Sequence, residues 1–474
     1  PGISSTKEIR NALLKFKESG KFIYTYSTLL SQTGYYLSSV SDSIFLYPNG
    51  NMELSGLSTT VPFFTETLKD LGIKPEVIRH GKFKAAVEPF LLTEMSSENK
   101  AQTSLLLDNI WFSMLNDISE SRNINTHKLN QLDNDITNSI LPEKSFENGL
   151  IDGLIHKKEL YNKIAHKLEL KEEEINYITL HDLNIKNTHH KNKIAIIYAE
   201  GEINSGEDAI NQTYAKTIKK IYENKDVCAI ILRINSPGGS ALISDIILEE
   251  IKSHNNEKPL IVSMGNYAAS GGYYIACAAE KIFASPTTIT GSIGVFGLIF
   301  TAEELLTNKM KLYFDNTKTN TFSDFGDSFI LPIRSLSNQE KNFIKIGVEK
   351  IYTNFINHVA EGRSMSKHFV DSIGQGRVWS GLEAKKIGLV DTIGGLNDAI
   401  LYASQYANNN DFTIVEYPKK KNSLELMLDF SNKISGAMKD LKNQPLINNN
   451  LRTEITNMQG INARLPFGFQ IEEE

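Results

Sequence analysis

A serine flanked by small residues is the most informative local feature of the sequence. Ser270 lies in the segment MGNYAASGGYYIA (264–276), between a predicted strand and a predicted helix, and is followed by Gly271 and Gly272. Glycines allow a tight turn that exposes the serine hydroxyl and directs nearby backbone N–H groups toward a ligand. The turn could present a nucleophile, although a serine at such a place is also an ordinary helix N-cap.

A second glycine turn, NSPGGS (235–240), also follows a predicted strand and precedes a predicted helix. Gly238 and Gly239 let backbone amides approach a developing oxyanion, which is the donor arrangement that acyl transfer requires. The alternative is a plain strand–turn–helix connection with Ser240 as the cap. Taken alone, this turn favours the plain connection.

A nucleophilic serine needs a base. The ten histidines lie mostly in polar, Lys/Asn-rich surroundings typical of a surface, and no Gly-x-Ser-x-Gly motif surrounds Ser270. A lysine is therefore the alternative base. Because a free lysine amine titrates near about 10.4, burial must lower its pKa before it can act near neutral pH.

The elements that position these residues occur twice. The segment 33–50 (TGYYLSSVSDSIFLYPNG) matches 271–288 (GGYYIACAAEKIFASPTT), and NGLID (148–152) matches IGLVD (387–391). The segments from Pro1 and from Pro237 also match, and all offsets lie between 236 and 241 residues. The chain is predicted to be a tandem duplication.

Strand and helix patterns alternate in the second copy, which indicates βαβ units with largely parallel strands. The first copy lacks a counterpart of 191–236, so we expect the chain to begin inside its first domain, without whatever preceded it, including any membrane anchor. The predicted division is a first copy over 1–155, a connection over 156–190, a second copy over 191–415 and a C-terminal helical extension over 416–474, with an amphipathic helix at 424–441.

Composition excludes several classes of function. The 474 residues carry a net charge of −6 without a long basic run, so nucleic acid is not an expected partner. Two cysteines, both in apolar runs, suggest neither a metal site nor a disulfide framework. No apolar stretch approaches the roughly 20 residues needed to span a bilayer.

Four motifs together resemble the signal peptide peptidase A family in its long, duplicated form. They are AASGGYY (268–274), SPGGS (236–240), TGSIGV (290–295) and GKFKAAVEPF (81–90). The resemblance implies a duplicated ClpP/crotonase-like α/β fold, truncated at the N-terminus of its first copy. It also implies roles for six residues: Ser270 as nucleophile, Lys84 as general base, Ser292 as the residue that orients the lysine, and the backbone N–H groups of Gly238, Gly239 and Gly271 as the oxyanion hole.

The repeat provides an independent check on these roles. Ser270 aligns with Gln32 in the first copy, and Lys84 aligns with residues 320–322 in the second. Each copy therefore keeps one half of the dyad, which is the pattern expected of halves that have divided a function between them. Lys82 aligns with Lys318 and is predicted to face solvent.

The resemblance further implies an endopeptidase that degrades hydrophobic peptides, with cleaved signal peptides as the expected substrates, without a cofactor. It implies a homo-oligomer, expected to be a tetramer, at the extracytoplasmic face of a bacterial cell membrane. Two alternatives stay open. They are a crotonase-type acyl-CoA enzyme, which shares the fold and the paired amides, and a non-catalytic membrane-associated scaffold.

Overall fold

The structure, a computed structural model, describes residues 2–132, 137, 141–183, 190–254, 257–328, 331–407, 411–418 and 460–464. The predicted helix at 424–441 lies outside these residues. None of the helices in the described ranges is long and apolar enough to cross a membrane.

The first copy is built on a small parallel sheet in the order β1–β2–β4. Its strands and helices are β1 (Tyr24–Leu30), β2 (Ser43–Met52), β3 (Lys74–His80), β4 (Gly153–Leu154), α1 (Ile3–Lys17), α2 (Gln32–Ser38), α3 (Thr65–Leu71), α4 (Ser97–Arg122), α5 (Thr126–Leu132), α6 (Pro142–Glu147) and α7 (Lys157–Leu168). Short 3₁₀ helices span Ala85–Phe90, Glu172–Glu174 and Leu180–Asp182.

The second copy is built on a larger sheet of eight strands. The second copy also contributes strands to a third sheet, described below. From its start to its last helix, the second copy contains the strands β5 (Asn192–Glu200), β6 (Val227–Ser236), β7 (Gly238–Ser240), β8 (Leu260–Ala269), β9 (Lys281–Ala284), β10 (Ile289–Gly291), β11 (Val295–Thr301), β12 (Val378–Ser380) and β13 (Thr392–Ile393). Two more strands, β14 (Phe412–Tyr417) and β15 (Gly460–Arg464), follow that helix. The helices are α8 (Thr213–Glu223), α9 (Ala241–Ser253), α10 (Gly271–Ala276), α11 (Asn338–Gly362), α12 (Lys367–Ile373), α13 (Gly381–Lys386) and α14 (Leu396–Ser404), with a 3₁₀ turn at Gln405–Ala407 and a π-helical turn at Leu305–Lys309.

The main path through the eight-stranded sheet runs β12–β10–β8–β6–β5–β14, and β9 and β13 continue from β8. Along this path, the strand pairs β10–β8, β8–β6, β6–β5 and β5–β14 are all parallel, as the alternation of strands and helices predicted. Continuous apolar runs in β5 and β6 are typical of parallel strands buried on both faces. Alternate residues of β6 accordingly lie in two different cores, with Ile230 and Leu232 in one and Ala229 and Ile231 in the other.

The duplication extends to individual hydrogen bonds. The hydroxyl of Tyr35 donates to the carbonyl of Leu150 at 3.0 Å, and the hydroxyl of Tyr273 donates to the carbonyl of Leu389 at 2.9 Å. An arginine–aspartate pair also recurs at equivalent places, as Arg122 with Asp152 and Arg363 with Asp391. Both aspartates accept a hydrogen bond from a strand amide at 2.7 Å, that of Ile44 in the first copy and that of Ile282 in the second.

The two copies are joined by a third sheet, in the order β3–β11–β15–β7. Strand β3 of the first copy runs antiparallel to β11 of the second, from His80 opposite Val295 to Lys74 opposite Thr301. This pairing places the chain that follows β3 against the second copy. The strand β15 lies in the region predicted as a helical extension, and it pairs on both sides with strands of the second copy.

Candidate active site

Ser270 lies at the junction of β8 and α10 in an unusual backbone conformation. Its φ is 56° and its ψ is −115°, and its backbone N–H donates to the carbonyl of Gly291 at 2.8 Å. A positive φ is uncommon for a residue with a Cβ atom, and such strain is often found at active sites. The parallel pairing of β8 with β10 holds the serine in this turn. The side chain is fully buried.

Lys84 reaches Ser270 from the first copy. It follows β3 and immediately precedes the 3₁₀ helix Ala85–Phe90, and its side chain is fully buried. The amine nitrogen Nζ lies 2.7 Å from Ser270 Oγ, 3.0 Å from Ser292 Oγ and 3.3 Å from the Ser292 carbonyl oxygen. The structure therefore brings together the three side chains predicted from the motifs, across 186 residues of sequence in the case of Lys84 and Ser270.

The surroundings of Lys84 favour its neutral form. Burial holds the pKa of the Lys84 amine well below its ordinary value, since desolvation disfavours the ammonium ion. Its three hydrogen-bond partners at the site are uncharged. A neutral amine at this distance has a lone pair for the serine proton and N–H groups for the two oxygens of Ser292.

A turn in the second copy closes over the lysine backbone. The amide of Phe83 donates to the Gln375 carbonyl at 3.0 Å, and the amide of Ser292 donates to the Arg377 carbonyl at 2.7 Å. Gly376 has a φ of 80°, and a Cβ atom there would lie 2.6 Å from the Cβ of Lys84. Only glycine fits this contact. From the sequence, the segment was visible only as a glycine-rich turn.

Glu88 is a buried carboxylate beneath Lys84 that the sequence analysis missed. It accepts hydrogen bonds from Ser96 Oγ at 2.6 Å, from the Ser96 amide at 3.2 Å and from Asn99 Nδ2 at 2.9 Å. The guanidinium of Arg79 lies 3.8 Å from Glu88 and donates to the Lys84 carbonyl at 3.3 Å. These contacts fix the 3₁₀ helix on which the lysine backbone depends. A lone glutamate within the apolar run AAVEPF was the available signal.

The predicted oxyanion donors lie in two neighbouring turns. A Cβ atom added to Gly271 would lie 3.2 Å from the backbone nitrogen of Gly239. On one edge of β7, the Ile203 amide donates to the Gly238 carbonyl at 2.9 Å and the Ser240 amide donates to the Ile203 carbonyl at 2.7 Å. Backbone groups of successive strand residues point to opposite edges, so the N–H of Gly239 faces the other edge. The N–H of Gly238 donates to Ser236 Oγ at 3.2 Å.

Lys82 and Lys318 differ from Lys84 in their surroundings. Lys82 is exposed, as predicted, and Lys318 forms an ion pair with Asp324 at 3.0 Å. The residues that align with Lys84 in the second copy, 320–322, lie in an exposed turn. Of the three lysines Lys82, Lys84 and Lys318, all within the described residues, only Lys84 contacts Ser270.

One group of side chains has the composition of a metal site. Asp245, Glu249 and His358 bring one ligand atom each within 4.8 Å of one another. The amine of Lys252 lies 3.7 Å from Glu249 and 3.4 Å from His358. This ammonium already provides the positive charge that the group would take from a cation.

Comparison with known proteins places the chain in a family. A model described as Peptidase family S49 matches residues 15–171 and 252–410, one range in each copy. Protease 4 of Haemophilus influenzae is 34% identical over 427 residues, covering 86% of this chain and 68% of that protein.

Two further relatives carry related names. Serine protease SPPA, chloroplastic, of Arabidopsis thaliana is 32% identical over 484 residues, covering 98% of this chain and 69% of that protein. Putative signal peptide peptidase SppA of Enterococcus faecium is 35% identical over 227 residues, covering 47% of this chain and 64% of that protein. The family match in both copies confirms the predicted duplication of a ClpP-like α/β fold. The chain therefore belongs to peptidase family S49, and it is a serine protease of that family.

Proposed function

We propose that Ser270 and Lys84 form the catalytic dyad of this protease and that it cleaves hydrophobic peptides. The observation that carries the proposal is the 2.7 Å contact between Lys84 Nζ and Ser270 Oγ, with both side chains fully buried. Burial lowers the pKa of the lysine, which makes the neutral amine available as a base.

The chemistry proceeds in two steps. Ser270 Oγ attacks the scissile carbonyl carbon while Lys84 Nζ accepts the serine proton. The tetrahedral intermediate then expels the amine, which takes that proton from Lys84, and an ester to Ser270 remains. A water, deprotonated by Lys84, attacks this ester, and the serine leaves with the proton.

Supporting roles follow from the same contacts. Ser292 holds the lysine amine through its hydroxyl and its carbonyl oxygen, at 3.0 and 3.3 Å. The Gly239 nitrogen lies 3.2 Å from where a Cβ atom on Gly271 would be, so the amides of these two neighbouring glycines are the proposed donors to one oxyanion, and such donors strongly stabilise a tetrahedral intermediate. Because the Gly238 amide already donates to Ser236 Oγ, the proposed oxyanion hole rests on the other two glycines.

The alternatives from the sequence fit these observations less well. An acyl-CoA enzyme on this fold needs the paired amides but has no use for a buried lysine in contact with a serine. A non-catalytic scaffold has no reason to keep a fully buried lysine, since burying an amine with only uncharged partners disfavours its ordinary charged form. Membership in a serine protease family also favours peptide hydrolysis.

Substrate class, assembly and location stay predictions. Signal peptides, which the name of the Enterococcus faecium relative mentions, are the proposed substrates. Three exposed apolar side chains in the segment between the copies support a homo-oligomer: Tyr177, Ile178 and Leu180, the last 85% exposed. That the oligomer is a tetramer rests on the resemblance. Action at the extracytoplasmic face of a bacterial membrane rests on the resemblance alone.

Covalent labelling tests the dyad. A fluorophosphonate probe is applied to the wild type, Ser270→Ala and Lys84→Ala from about pH 6 to about pH 10, with Lys82→Ala as the matched control for loss of a nearby lysine. We expect labelling that requires both Ser270 and Lys84, is unaffected in Lys82→Ala, and has an apparent pKa well below that of free lysine. Equal labelling of all four proteins would refute the dyad.

A further inference from the structure

The turn that closes over Lys84 contains a strained residue. Gln375 has a φ of 56°, a left-handed conformation that is uncommon for a residue with a Cβ atom. Such a conformation persists only where the surrounding contacts enforce it. The backbone carbonyl of Gln375 accepts the Phe83 amide at 3.0 Å, and a Cβ atom on Gly81 would clash with that carbonyl. The strained residue therefore packs directly against the segment that carries Lys84.

The hydroxyl of Tyr352 holds this turn. It accepts the backbone N–H of Gln375 at 3.2 Å and donates to Asp371 Oδ1 at 2.6 Å. The same carboxylate oxygen accepts a hydrogen bond from the Gln375 side chain, through Nε2, at 2.6 Å. Tyr352 belongs to α11, and burial, together with the hydrogen bond to Asp371, raises the pKa of its hydroxyl above the ordinary value. The hydroxyl therefore keeps its proton near neutral pH, and with Asp371 it fixes both the backbone and the side chain of Gln375.

Tyr352 also contacts the first copy directly. Its ring stacks on that of His80, the last residue of β3, with the ring centres 3.8 Å apart and an angle of 24° between the planes. His80 Nδ1 lies 2.8 Å from Glu349 Oε2, which belongs to α11 as well. The tyrosine thus contacts the chain before Lys84 at two places, once through its ring and once through Gln375. A side chain of the second copy sets where the lysine segment leaves β3.

The two copies differ at the position of this tyrosine. Trp111 and Asn130 of the first copy lie 241 residues before Tyr352 and Asp371, an offset found elsewhere in the repeat. The pair recurs in space as well, since the indole Nε1 of Trp111 donates to Asn130 Oδ1 at 3.3 Å. An indole N–H can donate but not accept, whereas a tyrosine hydroxyl does both. The copy that contains the proposed nucleophile therefore has, at this position, a side chain that can also accept the amide of the turn.

From these contacts we propose that Tyr352 is a positioning residue for the general base. Its hydroxyl holds Gln375, and Gln375 and the glycine after it pack on the backbone of Lys84, which places Nζ 2.7 Å from Ser270 Oγ. That glycine also donates its amide to the carbonyl of Ile293 at 2.7 Å, so the turn joins the lysine segment to the segment of the serine that holds the amine. The inference rests on the proposed function, since it needs Lys84 as the base.

The variant that tests the role is Tyr352→Phe, which removes the hydroxyl and keeps the ring that stacks on His80. The Gln375 amide then loses its acceptor, so the turn loosens and the lysine leaves its place. A displacement of 1 Å can cost about 100-fold in rate, so we expect kcat to fall by about 10- to 100-fold with little change in KM. Water that reaches a looser Lys84 favours the ammonium ion, so the rising limb of the kcat profile should move to higher pH.

The matched control is Tyr222→Phe. Tyr222 is another buried tyrosine whose ring stacks on a histidine, His254, with the ring centres 5.0 Å apart and an angle of 15° between the planes. Within the described part of the chain its hydroxyl has no hydrogen-bond partner. The loss of this oxygen should therefore leave kcat, KM and the pH profile unchanged.

A second variant, Asp371→Ala, removes the other anchor of Gln375 and leaves the ring of Tyr352 in the core. It should lower kcat and move the pH profile in the same direction. The double variant Tyr352→Phe/Asp371→Ala should lose no more activity than the less active single variant, because both residues act through the same turn. If Tyr352→Phe does not fold, Asp371→Ala still tests the role of the turn.

The experiment is steady-state kinetics of the full-length chain on a fluorogenic apolar peptide, from about pH 6 to about pH 10, well below the melting temperature of each variant. Fluorophosphonate labelling of the same samples reports on Ser270, and a calorimetric scan reports on stability. His80→Asn is included because His80 also titrates in this range and packs on Tyr352, as do the carboxylates of Glu349 and Asp371 close by.

Four outcomes would overturn the inference in distinguishable ways. A Tyr352→Phe variant that melts earlier but keeps the wild-type kcat and pH profile would make Tyr352 a core residue only, and the dyad would stand. Additive losses in the double variant would mean that the two side chains act separately. A limb near about pH 6.5 that disappears in His80→Asn would assign the pH response to the histidine. A wild type that neither labels at Ser270 nor depends on Lys84 would remove the proposed function itself.

Discussion

Gln32 occupies in the first copy the place that Ser270 occupies in the second. Each residue precedes a Gly-Tyr-Tyr segment whose first tyrosine donates to an equivalent carbonyl, that of Leu150 or Leu389. The carboxamide of Gln32 donates to the Gly56 carbonyl at 2.9 Å and accepts from the Ser55 and Gly56 amides at 2.9 and 3.0 Å. The position of the proposed nucleophile in the second copy is taken in the first copy by a side chain that holds a loop.

The first prediction concerns this glutamine. Gln32→Ser should not create a second nucleophile, because the lysine that serves Ser270 has no described equivalent near position 32. It should destabilise the chain by about 1–3 kcal/mol, since three part-buried hydrogen bonds to Ser55 and Gly56, each contributing about 1 kcal/mol, are lost. Mass spectrometry after fluorophosphonate labelling should find one adduct per chain, and a calorimetric scan should show the lower melting temperature. Gln339→Ser, at an exposed position, is the matched control, and an adduct at position 32 would contradict the prediction.

The second prediction separates activity from stability at Lys84. Lys84→Met removes the base, so peptidase activity should fall by about 100- to 10,000-fold. The same change should raise stability near neutral pH, because it removes a buried group whose charged form is disfavoured.

The pH dependence of that gain has a definite sign. Burial lowers the pKa of Lys84 in the folded state, so between that pKa and about 10.4 the unfolded chain binds more protons. The contribution of Lys84 to the free energy of unfolding of the wild type therefore increases with pH across that range. The melting-temperature difference between Lys84→Met and the wild type should shrink as the pH rises toward 10. A difference that grows with pH would show that the lysine is charged in the folded protein.

The third prediction concerns the serine that holds the lysine. Ser292→Ala removes the 3.0 Å contact with Lys84 Nζ, and a single hydrogen bond of this kind contributes about 1 kcal/mol. We expect kcat to fall by about 5- to 10-fold with little change in KM, because Ser292 contacts the base. Ser285→Ala, which removes another buried hydroxyl with one side-chain partner at 3.1 Å, should leave both constants unchanged. An effect on KM alone would assign Ser292 to substrate binding.

The fourth prediction assigns Glu88 a positioning role. Glu88→Gln weakens the hydrogen bonds to Ser96 and Asn99 that fix the 3₁₀ helix after Lys84, at a cost of about 1.5–3 kcal/mol. Looser packing admits water to the lysine, so the pH profile of kcat should shift toward higher pH. Glu94→Gln, in an exposed ion pair with Lys100, should change neither stability nor the profile. An unshifted profile with reduced stability would leave Glu88 a purely structural residue.

Much of the candidate site could be predicted because its residues lie in short local motifs. Ser270 stood out from its own segment, whereas Lys84 and Ser292 followed from the family resemblance of two other segments, and the repeat offset explained why the serine and the lysine come from different copies. The parallel sheet followed from the alternation of strand and helix patterns in the second copy. Each of these features depends on residues that are close in the sequence.

What the sequence did not predict depends on contacts between distant segments. The antiparallel pairing of β3 with β11 involves strands more than two hundred residues apart, and a strand pattern does not specify its partner. The role of Glu88 is a different case: its partners Ser96 and Asn99, at the start of α4, are only 8 and 11 residues away, but no sequence pattern shows that they fold back onto it. Strand β15 was missed because five residues in an Asn-rich region form a strand only when two open edges lie beside them.

The two halves of the proposed dyad lie on segments that are made at different times: Lys84 follows β3, and Ser270 follows β8, 186 residues later in the chain. During synthesis the lysine therefore leaves the ribosome before the serine does. With the proposed dyad, no proteolysis by this site is possible until Ser270 has been made and the second copy has packed against the first. A partly translated chain is thus inactive at this site.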